Sequence, residues 1–249
     1  MKNNDVNIQE TNLNKSYRYE NLVITQHNHI AHAASLGVAE YPGEIYNPFY
    51  IYGTTGVGKT YMLHAIGNYI VENHPEKMVY YTTGQMITEE IIEALKKQDV
   101  TMKELRDKYS AIDVLLVDDI QFMMGKEYTQ MEFLHIVKGM CECGKQIVVS
   151  CDSPLNYKEA LHDKMQSFFA SGLVEEITLP DLEANKEFLL SCFEKEYGEN
   201  IISMEVVEYV SHNVEANYYV VKGLLKKIIA RSKDSDKPID ILTVKEMIK

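Results

Sequence analysis

The chain has 249 residues, of which 45% are hydrophobic and 25% are charged, a composition that excludes a mainly disordered protein. Asp and Glu number 37 against 25 Lys and Arg, and the formal net charge of −12 excludes a uniformly basic protein that coats nucleic acid, although a local DNA contact stays open. No apolar run approaches the roughly 18 residues of a membrane span, and the polar N-terminus does not resemble a signal peptide. The four cysteines are unevenly spaced. We therefore expect a cytoplasmic protein with reduced thiols.

The first predicted elements alternate between strands and helices. Residues 1–16 are rich in Asn and predict a flexible lead-in. An apolar run at 49–52 ends at a glycine, which predicts a buried strand followed by a loop. Hydrophobic periodicity predicts a strand over 78–82 and helices over 59–71, 85–98 and 101–109.

Two later runs are continuously apolar, at 114–117 and 147–149, and are typical of strands buried on both faces. A helix is predicted between them over 126–141. Strands alternating with helices indicate an α/β fold with a parallel sheet covered on both faces. After residue 180 only helical periods remain, over 183–197, 204–213 and 217–231, with a last short helix after Thr243. We therefore predict an α/β base over 17–180 and a small all-helical lid over 181–249.

Residues 53–60 read Gly-Thr-Thr-Gly-Val-Gly-Lys-Thr and match the phosphate-loop pattern G-x-x-x-x-G-K-[ST]. Small residues let backbone N–H groups surround phosphates, and the helix that follows presents its positive end. Lys59 can reach the β- and γ-phosphates, and Thr60 can offer its hydroxyl to Mg²⁺. The segment lies between a predicted strand and a predicted helix, so we predict a site for ATP or ADP with Mg²⁺.

Acidic residues follow the two buried apolar runs. Asp118 is predicted to hold Mg²⁺, either directly or through a water molecule. Asp119 is predicted to orient or deprotonate the water that attacks the nucleotide. Asp152 follows the next strand and can sense the γ-phosphate; an Asx-turn before Pro154 is the alternative. The predicted catalytic residues are Asp119 and Asp152, and the predicted metal ligands are Thr60 and Asp118.

Several further segments resemble the AAA+ domain of the bacterial replication initiator DnaA. They span 17–23, 31–34, 46–48, 64–68, 118–122, 144–148 and 180–183. The resemblance runs from about residue 13 to the C-terminus, and it implies an AAA+ P-loop NTPase with a helical lid. It places the family's helix-turn-helix domain after residue 249 and its helicase-interaction domain before residue 1, so we expect a chain without either.

The resemblance also implies roles for individual residues. Val23 and Ile24 would contact adenine, Asp152 would be the sensor-1 residue, and single-stranded DNA would be contacted near Ile92 and Lys126. The predicted cofactor-binding residues are Val23, Ile24, Gly53, Thr54, Thr55, Gly56, Val57, Gly58, Lys59, Thr60 and Tyr61.

The chain departs from the family at three arginine positions. Phe168 stands at the arginine finger, Tyr219 at sensor 2 and Tyr128 where an arginine would touch single-stranded DNA. Lys164 keeps a positive charge where the family has another arginine. Because an arginine finger can contribute 10³–10⁵ in rate, we expect nucleotide binding with very slow hydrolysis.

Three functions remain open on these grounds. The first is an ATP-binding protein that acts in or regulates replication initiation, a group that includes helicase loaders. The second is a non-enzymatic interaction module that caps or titrates an initiator or helicase-loader assembly, with a structural nucleotide. The third, a P-loop phosphotransferase, is disfavoured because no acceptor-site motif is found and the helical lid fits the AAA+ class better.

Overall fold

The computed structural model describes residues 11–96, 102–156, 161–197, 203–214, 217–232 and 241–248. The chain divides into two compact units. Unit 1 comprises Met1–Leu22, Ile30–Gly53 and Lys59–Ile177, and unit 2 comprises Val23–His29, Thr54–Gly58 and Thr178–Lys249.

Unit 1 is built on a parallel sheet, as the alternating pattern predicts. Its five strands are β1 (Phe49–Tyr52), β2 (Val79–Thr83), β3 (Val114–Asp118), β4 (Gln146–Cys151) and β5 (Leu173–Glu176). They run in the order β2-β3-β4-β1-β5, and every neighbouring pair is parallel. Strand β1 has its predicted bounds, β2 begins one residue later than predicted, and β3 extends to include Asp118. The edge strand β5 is not predicted from the sequence.

The two faces of the sheet pack against different helices. The helices of unit 1 are α1 (His29–Glu40, whose first residue belongs to unit 2), α2 (Lys59–Asn73), α3 (Gly84–Lys96), α4 (Met102–Ser110), α5 (Glu127–Glu142) and α6 (Asp163–Ala170). Leu115 and Val149 point into a core shared with α3, α4, α5 and α6. Leu116 points to the other face, where it lies close to Gly67 of α2. The predicted two-sided covering of the sheet is therefore confirmed.

Unit 2 is helical over its described C-terminal part. Its helices are α7 (Leu182–Tyr197), α8 (Met204–Asn213), α9 (Tyr218–Ser232) and α10 (Ile241–Ile248). Their apolar stripes meet in one core, which includes Leu189, Val207, Val221, Leu225 and Val244. The predicted helices over 183–197, 204–213 and 217–231 are present to within one residue, and α10 begins two residues before Thr243. No helix in the described ranges is long and apolar enough to cross a membrane.

The predicted flexible lead-in covers 1–16, of which 1–10 lie outside the described residues and 11–16 are hydrogen-bonded to α2 and β2. We call residues 11–18 the strap. The carbonyl of Thr11 accepts from the Tyr81 N–H at 3.0 Å, which extends the hydrogen bonding at the edge of β2. Asn68 Nδ2 donates to the carbonyls of Asn14 and Tyr17 at 2.9 and 2.8 Å. Side chains of α2 and the backbone of β2 thus pair with polar backbone groups of the strap, which composition alone does not reveal.

Candidate functional site

The phosphate loop begins where β1 ends, and Lys59 is the first residue of α2. The Gly53 N–H donates to the carbonyl of Cys151 at 3.3 Å, and Lys59 Nζ donates to the carbonyl of Gly53 at 2.6 Å. Burial lowers the pKa of Lys59, while the charges of Asp119, Asp118 and Asp152 act in the opposite direction. The lysine ammonium therefore lies at the start of α2 within the field of three carboxylates.

The tip of the phosphate loop, Thr54–Gly58, belongs to unit 2. Gly56 and Gly58 have φ of +89° and +106°, a region that residues with a Cβ rarely adopt. A Cβ on Gly56 would also lie 2.4 Å from the side chain of Asn217, whose Nδ2 donates to the carbonyl of Thr55 at 3.2 Å. Glycine is therefore required at both positions for the loop to keep this path.

Asp118 is the last residue of β3, and its side chain is 2% exposed. The Tyr81 hydroxyl donates to Asp118 Oδ2 at 2.9 Å, and the Ser150 hydroxyl donates to Oδ1. The carboxylate thus has a donor on each oxygen, which compensates for its removal from water. The sequence gives no signal for Tyr81 or Ser150, because neither belongs to a recognised motif.

Asp119 follows with a left-handed backbone, at φ 55° and ψ 55°. Its N–H donates to Ser150 Oγ at 2.9 Å, and Gln121 Nε2 donates to its Oδ1 at 2.9 Å. Burial raises the pKa of Asp119, and the neighbouring charge of Asp118 raises it further. A carboxylate with a raised pKa is better suited to accept a proton from water than an ordinary one.

Asp152 comes directly after β4 and is exposed. Its Oδ1 accepts from Ser153 Oγ at 2.6 Å, a local contact that fits the turn interpretation as well as a sensing role. The parallel register aligns Tyr52 with Cys151 and Val117 with Val149, so the carboxyl ends of β1, β3 and β4 lie at one edge of the sheet. In open α/β sheets this edge is where ligands bind.

The donor set at this edge fits a magnesium ion. Asp118 and Thr60 offer a carboxylate and a hydroxyl, the oxygen ligands that Mg²⁺ prefers. Among the described residues no group of three His, Cys, Asp or Glu side chains could hold a metal. An ion bound here would therefore complete its coordination with phosphate oxygens and water, as Mg²⁺ usually does in nucleotide sites.

The predicted adenine contacts belong to unit 2. The carbonyl of Val23 accepts from Asn28 Nδ2 at 2.9 Å, and Ile24 is 50% exposed. A hydrogen bond joins the segment Val23–His29 to the residue before α7, where the Asp181 N–H donates to His27 Nε2 at 2.9 Å. Tyr61, also predicted to contact the cofactor, has its ring stacked on Tyr17 of the strap with 4.6 Å between ring centroids.

The three positions at which the resemblance implies an arginine are partly described. Phe168 lies on α6, and its ring packs against Phe169 with 5.3 Å between centroids. Lys164 is exposed on the same helix, and Tyr128 of α5 is 53% exposed. The side chain of Tyr219 lies outside the described residues. Phe168 therefore packs as an apolar side chain.

The two predicted contacts for single-stranded DNA lie on different elements of unit 1. Ile92 is half-buried on α3. Lys126 precedes α5, is exposed, and donates from Nζ to the carbonyl of Phe122 at 2.8 Å. No described contact joins these two residues to the phosphate loop or to the carboxylates beside it.

This architecture defines the class of protein. A parallel sheet in the order β2-β3-β4-β1-β5, a phosphate loop from β1 to α2, an acidic pair at the end of β3 and a helical C-terminal unit are those of an AAA+ P-loop NTPase. The family model described as the bacterial DnaA ATPase domain matches residues 13–176. The chain belongs to this family, as its sequence motifs predict.

Known proteins similar to the chain agree with this assignment. The chromosomal replication initiator protein DnaA of Lachnoclostridium phytofermentans is 41% identical over 95% of the chain and 52% of that protein. Domain III of DnaA from Thermotoga maritima is 35% identical, with a TM-score of 0.86 over 95% of the chain and 99% of the domain. AMPPCP-bound DnaA from Aquifex aeolicus is 32% identical, with a TM-score of 0.81 over 89% of the chain and 68% of that protein. The chain spans about half the length of the curated relatives it matches.

Proposed function

We propose that this chain binds ATP or ADP with Mg²⁺ at its phosphate loop and acts in, or regulates, the initiation of DNA replication. The observation that carries the proposal is the geometry of unit 1, where the phosphate loop leads from β1 to Lys59 at the start of α2 and Asp118 ends the buried strand β3. A cation beside a metal-binding carboxylate is what a triphosphate with its ion requires. The relative from Aquifex aeolicus was solved with AMPPCP, a compound of the same class.

Each residue has a role in this proposal. The loop amides from Gly53 to Thr60 and the Lys59 ammonium bind phosphates, while Thr60 and Asp118 hold the ion. Asp119 orients or deprotonates water, and Asp152 senses the γ-phosphate. Val23 and Ile24 contact the adenine ring. All of these residues lie in the proposed base over 17–180, and we propose that 181–249 form the lid.

We further propose that hydrolysis is very slow. Phe168 cannot neutralise charge that develops on the γ-phosphate, and a tyrosine at sensor 2 carries no charge and no bidentate donor pair. An arginine finger contributes about 10³–10⁵ in rate in related phosphoryl transfers. Binding is less affected than hydrolysis, because the loop backbone, Lys59 and the ion supply most of the contacts with phosphate.

The partners we propose are an adenine nucleotide, a replication initiator or helicase, and single-stranded DNA held weakly near Ile92 and Lys126. A related DnaA was solved with AMPPCP and single-stranded DNA together. The net charge of −12 opposes long-range attraction to DNA, so any affinity would come from short-range contacts.

The packing of Phe168 favours a second candidate function. An apolar ring that lies against Phe169 is suited to protein contact and not to charge neutralisation. In this alternative the nucleotide is structural, and the protein caps or titrates an initiator or helicase-loader assembly. Co-purification with a full-length initiator from the same cell tests this role, and failure to interact would remove its support.

Isothermal titration with ATP and ADP, in Mg²⁺ and in EDTA, tests the nucleotide site. Lys59→Ala is expected to abolish detectable binding, because it removes the buried ammonium at the loop. Lys103→Ala removes the same charge from an exposed position on α4 and is the matched control. Equal ATP affinity of Lys59→Ala and the parent protein would overturn the site assignment.

Turnover of radiolabelled ATP tests the slow-hydrolysis proposal. We expect rates far below the ~1 s⁻¹ at the lower end of competent enzymes. A rate of that order would reject the proposal while leaving the binding site in place. Gel filtration with ATP and with ADP then shows whether the nucleotide changes the assembly state.

A further inference from the structure

Tyr81 of the edge strand β2 contacts the carboxylate that would hold the ion. Its hydroxyl donates to Asp118 Oδ2 at 2.9 Å, while Ser150 restrains only the other oxygen, Oδ1. A carboxylate held at one oxygen can still rotate about its Cβ–Cγ bond. With donors on both oxygens, its plane is fixed.

Two contacts position Tyr81, one through its ring and one through its backbone. The ring stacks on His64 of α2 with 4.0 Å between centroids and 29° between planes. The backbone N–H of Tyr81 donates to the carbonyl of Thr11 in the strap at 3.0 Å. The His64 ring is fixed in turn, because its Nδ1 accepts from the Asn14 N–H at 3.2 Å. The Tyr81 hydroxyl therefore reaches Asp118 from a rigid base.

We propose that Tyr81 is a positioning residue that orients Asp118 toward the Mg²⁺ ion of the bound nucleotide. The proposal rests on the proposed nucleotide-binding function and extends it by one residue outside the phosphate loop and the acidic pair. Hydrogen bonds to a metal-binding carboxylate set its orientation, and their loss typically lowers metal affinity 10–100-fold. A neutral hydroxyl also leaves the negative charge of Asp118 available to the ion.

The test compares Tyr81→Phe with Tyr80→Phe. Tyr80 is the preceding residue of β2, and it packs in the core on the opposite face of the sheet, near Lys108. Each variant loses one hydroxyl from the same strand, and only one of those hydroxyls touches Asp118. The apparent Kd for a fluorescent ATP analogue is measured over a series of free Mg²⁺ concentrations and in EDTA.

We expect Tyr81→Phe to raise the Mg²⁺ concentration for half-maximal tightening about tenfold, and Tyr80→Phe to leave it within about twofold. The Kd in EDTA is expected to be the same for both variants and the parent. A general loss of structure would weaken binding in EDTA as well, so the difference between the two conditions separates positioning from folding. Urea midpoints of the variants provide a second control.

A double-mutant cycle tests whether Tyr81→Phe changes the Mg²⁺ dependence through Asp118. In the Asp118→Asn background, Tyr81→Phe is expected to change the Mg²⁺ dependence by less than about twofold, because the two residues act as one unit. Replacement of Tyr81 by p-aminophenylalanine, which keeps a donor at the same point of the ring, is expected to restore parental Mg²⁺ dependence.

The possible outcomes are distinguishable. Unchanged Mg²⁺ dependence in Tyr81→Phe overturns the inference and leaves nucleotide binding standing. Equal ATP affinity of the parent in Mg²⁺ and in EDTA also overturns the inference, because Asp118 would then have no ion to hold. Nucleotide binding is left standing in that case too. Absence of ATP binding under both conditions overturns the proposed function itself, and this inference with it.

Discussion

The backbone N–H of Asp119 donates a hydrogen bond to the side-chain oxygen of Ser150 at 2.9 Å. The same hydroxyl donates to Asp118, so one buried serine of β4 holds both acidic residues at the end of β3. This contact also satisfies the amide of a residue in the left-handed region, which Asp tolerates better than most residues do.

Ser150→Ala is therefore expected to destabilise the protein by about 1–3 kcal/mol, because it leaves a partly buried amide and a buried carboxylate oxygen without this partner. Urea denaturation measures the change. The control is Ser110→Ala, which removes a hydroxyl that donates to the carbonyl of Asp107 at the exposed end of α4. That change should stay within about 0.5 kcal/mol. Equal midpoints for the two variants would contradict the role given to Ser150.

Gly84, the first residue of α3, approaches the backbone of Asp119 closely. A Cβ built on Gly84 would lie 2.6 Å from the Asp119 carbonyl oxygen and 2.9 Å from Ile120 Cα. Neither is the end of a flexible side chain, so Gly84→Ala must displace the acidic segment. We expect a loss of about 1–3 kcal/mol in the free energy of unfolding, together with weaker Mg²⁺-dependent nucleotide binding.

The matched substitution is Gly139→Ala in the last turn of α5, where nothing lies within 4 Å of the added methyl group. Alanine in a helix interior is favoured over glycine by about 0.5–1 kcal/mol, so this variant is expected to be more stable than the parent. Opposite signs for the two Gly→Ala changes are the expected result. A neutral or stabilising Gly84→Ala would show that the acidic segment can shift freely.

The sequence predicts the central strands well for a physical reason. Parallel strands covered on both faces are continuously apolar, and Val114–Val117 and Ile147–Val149 are fully buried in the structure. The edge strand β5 escapes prediction because only one neighbour pairs with it and two of its four residues, Glu175 and Glu176, are acidic. Its pattern is that of a surface segment.

The candidate site likewise contains residues that a sequence motif predicts and residues that only the folded sheet brings together. The phosphate loop and Asp118 are predictable because their spacing along the chain carries the chemistry. Tyr81 and Ser150 are 37 and 32 residues from Asp118 in sequence, and only the register of β2, β3 and β4 brings them to it. The strap is missed for a similar reason, since its Asn-rich composition is the same whether its backbone is solvated or bonded to α2.

Cysteine reactivity provides a test of local burial in α5. Burial, reinforced by the charge of Glu142, raises the pKa of the Cys141 thiol to about 11, whereas Cys143 just beyond the helix is exposed. At pH 8 a thiol with that pKa is about 0.1% thiolate, the reactive form. Iodoacetamide followed by peptide mass spectrometry is expected to modify Cys143 at least about tenfold faster than Cys141. In urea the two rates should converge, and equal rates in the folded protein would contradict the burial of Cys141.

His64 makes attachment of the strap dependent on pH. Burial lowers the pKa of His64, although the charge of Asp118 opposes the shift, and Nδ1 must be unprotonated to accept from the Asn14 N–H. The unfolded chain takes up a proton near pH 6.5 and the folded chain only at lower pH. The stabilisation is therefore complete above pH 6.5 and declines as the pH falls from 6.5 toward the folded pKa.

Hydrogen exchange of the Asn14 and Tyr81 amides is therefore expected to lose protection between pH 7 and pH 5, after correction for the intrinsic exchange rate. His64→Gln, which does not titrate, should remove most of this pH dependence. His135→Gln changes a histidine that is exposed on α5 and should leave it intact. Protection at Asn14 that is constant over this range would show that the strap does not depend on the protonation state of His64.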